Sequence, residues 1–395
     1  MRHFDVVVVG GGPAGSAFAL HLARRLPGVA DRVLMLERWR HPREKYCAGA
    51  VSSVGLDILG EAGYRLDVPH VPIDGVRVRY GATVTEHRRP AMGVVVRRAE
   101  FDHALWTAAG RAGVHLQDGE RVVGLDRQGE GWVVRTDRGS YHARVVIGAD
   151  GTGSAVRRLA GFPEHQRKGR LYVLETPPAD EAERERRTIE FDLSCIADGI
   201  EGYYWDFPTV MGGRRAVSRG IYHRNTRPRP DLKRFLGTLL RRRGVDPDTV
   251  RIKGFSERGY TPGAELTRPG LMLVGEAAGI DPVTGEGIAQ GIVYAQVAAR
   301  CCAGGLEKGD LTFPGYRRSF ERTTAARHLR HSALLAPHVF GPRGARWASF
   351  LASREQAVAA GARWYEGRPL RKSEMARLGL ALTWSLLRGY ELPAQ

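Results

Sequence analysis

The sequence predicts an α/β fold with a parallel-sheet domain, an inserted antiparallel-sheet domain and a helical carboxyl-terminal region. Near the amino end, short apolar runs bounded by glycine alternate with residues at helical spacing, as in a βαβ unit. In the middle of the chain, apolar and polar residues alternate, as in half-exposed antiparallel strands. From Phe320 onward the apolar residues recur at helical spacing.

Length and composition exclude several classes of protein. A chain of 395 residues has room for roughly two to three domains. Its four cysteines are too few for a disulfide scaffold, and no Cys-x-x-Cys pair suggests zinc. The longest uncharged stretch, residues 6–23, contains a Gly-Gly-Gly-Pro cluster that would break a membrane helix. We expect a cytoplasmic protein, and peripheral contact with a membrane stays open.

The charge balance is strongly basic, with a net charge of +17. Such a balance attracts nucleic acid, anionic membranes or phosphorylated ligands. Only 6 of the 60 basic residues are lysine, and an arginine excess of this kind can also reflect genomic base composition. Because no nucleic-acid recognition module is present, we expect no nucleic-acid partner and a mostly solvated excess of charge. The oligomeric state is not predictable from these features.

The first βαβ unit carries a nucleotide-binding fingerprint. The pattern predicts a strand over Phe4–Val9, a helix over Gly15–Leu26 and a strand over Arg32–Glu37. Gly10-x-Gly12-x-x-Gly15 lies between the first strand and the helix, where glycines permit a tight turn and close approach of a pyrophosphate. Glu37 lies 22 residues after the last glycine and suits ribose hydroxyls. A Rossmann-type domain binding FAD or NAD is predicted; the alternative is a turn made for packing.

Two later turns favour FAD over NAD. Asp150-Gly151 follows the predicted strand Arg144–Ile147, and Gly275-Glu276 follows the predicted strand Gly270–Val274. Acidic groups at these strand ends suit the hydroxyls of a ribityl chain, which NAD lacks. The alternative for each is a cap on the following helix.

The middle of the chain divides the nucleotide domain. The alternating pattern predicts antiparallel strands over Gly75–Tyr80, Gly93–Val96, Thr188–Leu193, Gly202–Asp206 and Arg215–Tyr222. We therefore assign residues 1–72, 97–165 and 262–330 to the FAD-binding domain and residues 73–96 and 166–261 to a substrate domain. Residues 331–395 form the carboxyl-terminal helical region.

Together with Arg98-x-x-Phe101-Asp102, these segments resemble the flavoprotein superfamily typified by para-hydroxybenzoate hydroxylase. The resemblance implies non-covalent FAD. It also implies that Arg98 lies along the ribityl–pyrophosphate region, that Asp150 supports the pyrophosphate side, and that Glu276 holds ribityl hydroxyls. Aspartate is usual at the last position, so a shifted or water-bridged contact is implied. The alternative for Arg98 is a solvated arginine, because Arg97 adjoins it.

Three segments resemble the geranylgeranyl reductase branch: YYWDFP from Tyr203, KYCAG from Lys45 and PVTGEGI from Pro282. That branch implies reduction of C=C bonds in a prenylated, hydrophobic substrate, with NADPH, NADH or a reduced electron carrier as reductant. Ala48 stands where glycine is usual, so a backbone contact with the flavin requires a negative φ there. The alternatives are a monooxygenase and, less supported because W-x-W-x-I-P is missing, a halogenase.

The fingerprint and the resemblance together give a set of cofactor-binding residues. These are Gly10, Gly12, Pro13, Ala14, Gly15, Glu37, Arg38, Cys47, Ala48, Gly49, Arg98, Val122, Asp150, Gly151, Gly275, Glu276, Gly285, Gly287 and Ile288.

The candidate catalytic residues are Cys47, Tyr203 and Trp205. Alternate residues on a strand share a face, so Tyr203, Trp205 and Phe207 form one aromatic wall or, alternatively, an ordinary core stripe. Cys47 has a thiol that can give a proton at neutral pH, since the ordinary pKa of a thiol is about 8.5. A cation at Lys45 would favour the thiolate. Cys47 otherwise shields the flavin or fills a buried space.

The remaining reactive side chains carry no predicted chemistry. We expect Cys195, Cys301 and Cys302 to be buried fillers, with the last two following a helix. His328 and His331 are interpreted as surface residues, and no metal site is predicted. An apolar patch over Leu378–Leu387, near several arginines, either packs on the flavin domain or rests on an anionic membrane.

Overall fold

The computed structural model describes residues 1–164, 168–226 and 231–368, with residues 373, 374 and 377. The strands are β1 (Arg2–Val9), β2 (Val33–Glu37), β3 (Ala50–Ser52), β4 (His70–Tyr80), β5 (Thr83–Val96), β6 (His115–Asp118), β7 (Val122–Gln128), β8 (Gly131–Thr136), β9 (Ser140–Gly148), β10 (Lys168–Thr176), β11 (Thr188–Asp192), β12 (Gly202–Met211), β13 (Arg214–His223), β14 (Lys253–Arg258), β15 (Thr267–Arg268) and β16 (Leu271–Leu273). The helices are α1 (Pro13–Arg25), α2 (Ser53–Glu61), α3 (Arg98–Arg111), α4 (Ala155–Leu159), α5 (Glu181–Glu185), α6 (Leu232–Arg242), α7 (Ile288–Lys308), α8 (Tyr316–Glu321), α9 (Thr324–Val339), α10 (Gly344–Ala352) and α11 (Glu355–Tyr365). The patch Leu378–Leu387 lies outside the described residues.

The first sheet has the order β15-β16-β9-β1-β2-β6, and the hairpin β7–β8 joins it through β9. Strands β16, β9, β1, β2 and β6 pair in parallel. Val7 pairs with Leu34 on one side and Val146 on the other, and these side chains are buried. A central parallel strand covered on both faces is expected to be wholly apolar. The predicted βαβ domain is therefore confirmed, and its strands end together at one edge of the sheet.

The second sheet has the order β14-β10-β13-β12-β11-β4-β5-β3. Its pairs are antiparallel except for β11 and β4, which run parallel from the Thr188–Gly75 pair onward. This one pair corrects the expectation of a purely antiparallel sheet, because β4 and β11 come from separate segments of the chain. The segments 50–52 and 70–72, which were predicted to belong to the FAD-binding domain, also hydrogen-bond within this sheet.

The two faces of β12 pack against different partners. Tyr203, Trp205 and Phe207 belong to one apolar core, whereas Tyr204 packs with α6 on the opposite face. Asp206 also lies on that opposite face and accepts hydrogen bonds from Tyr204 and Arg219 at 2.6 Å. Asp206 therefore has a structural role on that face.

The carboxyl-terminal helices cover the aromatic face of the second sheet. Ala348 and Ala352 of α10 and Ala362 and Tyr365 of α11 join the same apolar core as the residues of β12. The Thr85 hydroxyl on β5 donates to the Ala352 carbonyl at 2.6 Å. In the part of the chain that the structure describes, no helix is long and apolar enough to cross a membrane.

The cysteines are reduced, and one prediction about them is wrong. Cys301 and Cys302 lie inside α7 rather than after a helix, because α7 runs on to Lys308. Cys195 and Cys302 are buried fillers as expected, whereas Cys301 is half-buried.

Candidate functional site

A cavity of about 990 Å³ extends from the carboxyl edge of the first sheet to the aromatic face of the second sheet. Of the residues proposed from the sequence, Gly15 alone does not line this cavity. A Cβ atom on Gly15 would lie 2.0 Å from the Gly10 carbonyl oxygen, so Gly15 serves close packing beneath the turn. The structure thus places the separated sequence segments around one space.

The glycine turn leaves the amino end of α1 open to the cavity. Gly10 has a φ of +112°, and a Cβ there would lie 2.4 Å from the Ala149 carbonyl oxygen. Gly12 caps α1 without any side-chain hydrogen bond, and Pro13 follows as the first helical residue. The unpaired N–H groups of such a helix end attract a pyrophosphate. This arrangement fits the dinucleotide, FAD or NAD, expected from the fingerprint.

Glu37, at the end of β2, is buried and fixed by three donors. It accepts hydrogen bonds from the backbone N–H of Gly11 at 3.0 Å and of Trp39 at 3.1 Å. The Arg43 guanidinium lies 3.2 Å from the same carboxylate and 3.2 Å from Asp102. A carboxylate has about four acceptor positions, so room for a ribose hydroxyl remains. Arg43 also lines the cavity beside Gly12, although no motif in the sequence predicted it.

Arg98, the first residue of α3, is buried rather than solvated. Its guanidinium forms a two-pronged hydrogen bond with Asp102, at 2.6 and 2.8 Å. It also contacts the thiol of Cys47. Arg98, and not Arg97, lines the cavity. In the sequence, this register is indicated by Asp102, which lies four residues after Arg98 on the same helix face.

The two acidic turns make different contacts. Asp150 accepts from the Ser154 hydroxyl at 2.5 Å and from the Val156 N–H at 3.0 Å, so it does hold the start of α4. Burial raises its pKa above the ordinary aspartate range. Glu276 accepts from the Thr152 hydroxyl and lies 3.9 Å from the Lys45 ammonium group. Both carboxyl groups line the cavity, which suits contacts with a polyol.

A loop over residues 281–287, which we call the covering loop, is held from three sides. The hydroxyl groups of Tyr203 and Tyr222 donate to the carbonyl oxygens of Thr284 and Pro282. Asp281, at the start of the loop, accepts hydrogen bonds from Val283 and Thr284, both at 2.8 Å. These contacts fix Gly285 and Gly287 at the cavity, next to the amino end of α7.

His328 supplies the third side, and the prediction that it lies at the surface is wrong. It is 8% exposed, not a surface residue, and its Nε2 atom lies 2.7 Å from Oδ2 of Asp281. Its ring packs 4.4 Å from that of Trp364. Burial alone would raise the pKa of Asp281, but His328 and the loop's hydrogen bonds outweigh it and lower that pKa. His331, one turn later, is exposed as expected.

Cys47 lies where the cofactor end of the cavity meets the aromatic end. Its sulfur accepts from the Gly49 N–H at 3.5 Å and faces Arg98. Ala48 does not have a positive φ, which meets the requirement for a backbone contact between Ala48 and the flavin. Gly49 has a φ of +81°, and a Cβ on it would lie 2.1 Å from the Val96 carbonyl oxygen.

The aromatic end of the cavity is built by several elements. Phe191 on β11 packs edge-on against Tyr203 at 5.1 Å and Phe207 at 5.3 Å. Tyr365 of α11 reaches the same cluster at 6.0 Å from Phe191. The rings and apolar groups at this end are Tyr46, Leu171, Phe191, Tyr203, Trp205, Phe207, Tyr222, Phe255 and Tyr365. The predicted wall exists, but most of its members come from segments that no sequence pattern connects.

Two buried carboxyl groups also line the cavity and were missed. Burial, with the nearby charge of Glu276, raises the pKa of Glu257 to about 8. Burial raises the pKa of Glu286 to about 7, although its carboxylate accepts from the Ala289 N–H at 3.0 Å. Glu286 lies within the PVTGEGI segment, but no sequence feature marks Glu257, and the burial that shifts both pKa values is a property of the folded chain.

The comparisons with known proteins agree with this geometry. A family model described as an FAD binding domain matches residues 3–195. A digeranylgeranylglycerophospholipid reductase from Methanothermobacter thermautotrophicus is 31% identical over 324 residues, covering 78% of this chain and 79% of the relative. A geranylgeranyl bacteriochlorophyll reductase-like structure from Thermoplasma acidophilum has a TM-score of 0.69 at 24% identity and covers 98% of each chain. The flavin-dependent brominase Bmp2 shares the fold, with a TM-score of 0.72 at 16% identity, over 98% of this chain and all of that one.

Proposed function

Because the chain belongs to the geranylgeranyl reductase family of FAD-dependent oxidoreductases, we propose that it reduces C=C double bonds in the prenyl chain of a hydrophobic substrate. The electrons come from NADPH, NADH or a reduced electron carrier. One observation carries the proposal: a single cavity joins a dinucleotide cradle to an aromatic end, with the Cys47 thiol between them.

The cavity suits an apolar chain better than a polar substrate. At its aromatic end, Trp205 and Phe207 are buried. The hydroxyl groups of Tyr203 and Tyr222 donate their hydrogen bonds to carbonyl oxygens of the covering loop. Rings arranged in this way offer apolar faces and few free donors. Burying apolar surface contributes about 25 cal/mol per Å², so a long prenyl chain gains affinity without polar contacts.

Bound FAD would supply hydride to one carbon of the double bond. The glycine turn, Glu37 and Asp150 would hold its adenosine and pyrophosphate side, and Glu276 would hold its ribityl hydroxyls. The other carbon needs a proton, and Cys47 has the exchangeable proton placed at the junction. The aromatic wall orients the chain and excludes water during the transfer.

Anaerobic reoxidation tests the proposal. Enzyme reduced with dithionite is mixed, without oxygen, with a panel of prenyl lipids, quinones and aromatic compounds, and flavin absorbance is followed. We expect stoichiometric reoxidation by a prenyl lipid, with a gain of two hydrogens per double bond by mass spectrometry. Reoxidation that waits for oxygen would overturn the proposal in favour of a monooxygenase.

A further inference from the structure

Trp39 follows β2 and presents an exposed indole at the rim of the cavity. It is 53% exposed and lines the cavity, whereas every other tryptophan in the described part of the chain is buried or half-buried. Val123, on β7, is 50% exposed and lines the same cavity. Apolar and aromatic side chains that line a cavity commonly contact its ligand. The chemistry proposed above gives neither side chain a task, although the cavity around them suits FAD.

Hydrogen bonds hold the main chain of Trp39 on both sides. Its N–H donates to the Glu37 carboxylate at 3.1 Å, and its carbonyl accepts from the Gly119 N–H at 3.4 Å. The Glu120 N–H also donates to the Glu37 carbonyl at 2.9 Å. These bonds join the chain after β2 to the chain before β7. The segments that carry the two exposed side chains are therefore neighbours at one end of the cavity.

The order of these contacts matches the order of the groups in FAD. One oxygen of the Glu37 carboxylate accepts from the Gly11 N–H in the glycine turn, and the other accepts from the Trp39 N–H. In FAD, a ribose joins the pyrophosphate to the adenine ring. With the pyrophosphate at the amino end of α1 and the ribose at Glu37, the adenine ring would come next to Trp39.

The side chain of Trp39 has the kind of surface that adenine needs. Adenine is flat, uncharged and aromatic, and stacking of a base on an aromatic side chain strengthens binding by about 10- to 100-fold. The Arg38 guanidinium lies 5.6 Å from the centre of the Trp39 ring, and this cation–π contact orients the indole. More than half of Trp39 nevertheless stays open, so room for a stacked ring remains.

We propose that Trp39 and Val123 hold the adenine ring of FAD, with the indole as the stacking surface and Val123 as an apolar contact from β7. The two side chains thereby select FAD over FMN, which has no adenosine. This inference goes beyond the proposed function, because it concerns how the cofactor is held and not which substrate is reduced.

Isothermal titration of the FAD-free protein tests the site without any substrate. FAD, FMN and ADP are titrated into the wild type, Trp39→Ala and Trp39→Phe. We expect Trp39→Ala to weaken FAD and ADP by about 10- to 100-fold and to leave FMN within about twofold of the wild type. Trp39→Phe keeps a ring and should recover most of the affinity. Unchanged ADP affinity in Trp39→Ala, or an equal loss for FMN, would overturn the proposal.

Tryptophan fluorescence shows whether the contact is direct. Adenine quenches an indole on which it stacks, and ADP does not absorb light where tryptophan emits. ADP should therefore quench the wild type but cause no comparable change in Trp39→Phe at saturating ADP. Quenching of the same size in Trp39→Phe would place the adenine beside another tryptophan and contradict the proposal.

NADPH also carries an adenine ring, so a further titration separates the two nucleotides. NADP⁺, which does not reduce the flavin, is added to the FAD-loaded wild type and to FAD-loaded Trp39→Ala. We expect no difference between them, because bound FAD already covers the indole. A weaker affinity for NADP⁺ with an unchanged affinity for FAD would assign Trp39 to the reductant and overturn the proposal.

Val123→Ala and Leu334→Ala form a matched pair. Both remove methyl groups from an exposed side chain, but Leu334, on α9, lies outside the cavity lining and is 67% exposed. Val123→Ala should weaken ADP by about threefold, because two methyl groups leave the contact. Leu334→Ala should bind FAD, FMN and ADP as the wild type does. Equal ADP affinity in the two variants would remove Val123 from the site.

Discussion

The Nε2 atom of His328 lies 2.7 Å from Oδ2 of Asp281 and so joins helix α9 to the covering loop of the cavity. The loop is thereby positioned by a part of the chain that follows the nucleotide-binding segments. Asp281 in turn holds the N–H of Val283 and the hydroxyl of Thr284. The carboxyl-terminal helices therefore shape the site from a distance as well as through Tyr365.

Replacing His328 should loosen the covering loop. We expect His328→Ala to lower the free energy of unfolding by about 3 kcal/mol, because the buried Asp281 carboxylate loses its contact with the imidazole. FAD affinity should fall as well, since the loop adjoins the cofactor end. Chemical denaturation and FAD titration measure the two effects.

The control for this variant is His331→Ala, because His331 is exposed on the same helix. Its stability should stay within about 0.5 kcal/mol of the wild type. Equal losses in the two variants would show that the Asp281 contact contributes nothing.

The wild type should also lose this stabilisation in acid. The lowered pKa of Asp281 gives stability above pH about 4, and this stability disappears as pH falls through the folded-state pKa.

Replacing Cys47 should affect the chemical step more than the cofactor. Cys47→Ser keeps a small polar side chain, but the serine hydroxyl is a much weaker acid than the thiol. We therefore expect the first anaerobic turnover to slow by about 10²-fold or more. FAD content should remain near that of the wild type. Cys301→Ser, which changes a half-buried thiol outside the cavity lining, is the control. An unchanged first turnover in Cys47→Ser would leave Cys47 with a packing role.

Replacing Glu37 should weaken FAD binding. Glu37→Ala removes a carboxylate that fixes Gly11 and faces the adenosine side, and hydrogen bonds to charged groups contribute about 1.5–3 kcal/mol. The expected loss is therefore about 10- to 100-fold in Kd, measured by isothermal titration of the FAD-free protein. Glu130→Ala, in the exposed turn between β7 and β8, should bind FAD as the wild type does. Equal affinity in all three proteins would contradict the assignment of Glu37.

Adding a methyl group at Gly285 should displace the covering loop. Gly285 has a φ of +65°, and its new Cβ would lie 2.8 Å from Glu257. We expect Gly285→Ala to lose about 1–3 kcal/mol of stability from backbone strain, with a further loss of FAD affinity from the contact. Gly309→Ala is a matched control, because Gly309 has a φ of +76° with open space around it. If both variants bind FAD equally well, the contact with Glu257 has no consequence.

Local sequence patterns predicted the elements of the cofactor end. The glycine fingerprint, Glu37 and the two acidic turns could be found because parallel strands bring their carboxyl ends to one edge of a sheet. The alternation in YYWDFP likewise put Tyr203, Trp205 and Phe207 on one face. These motifs and alternations are local in the sequence, so they are visible before the chain folds.

Tertiary structure decided what surrounds those elements. Tyr365, Phe191 and His328 reach the site from segments far apart in the chain, and no spacing in the sequence connects them. His328 was predicted to lie at the surface, but it is buried and contacts Asp281, and burial raises the pKa of Glu257. Both effects depend on the exclusion of water, which arises only when the two sheets and the carboxyl-terminal helices close on one another. The sequence by itself determined a dinucleotide fold and an aromatic strand, and their packing decided which charges and rings meet.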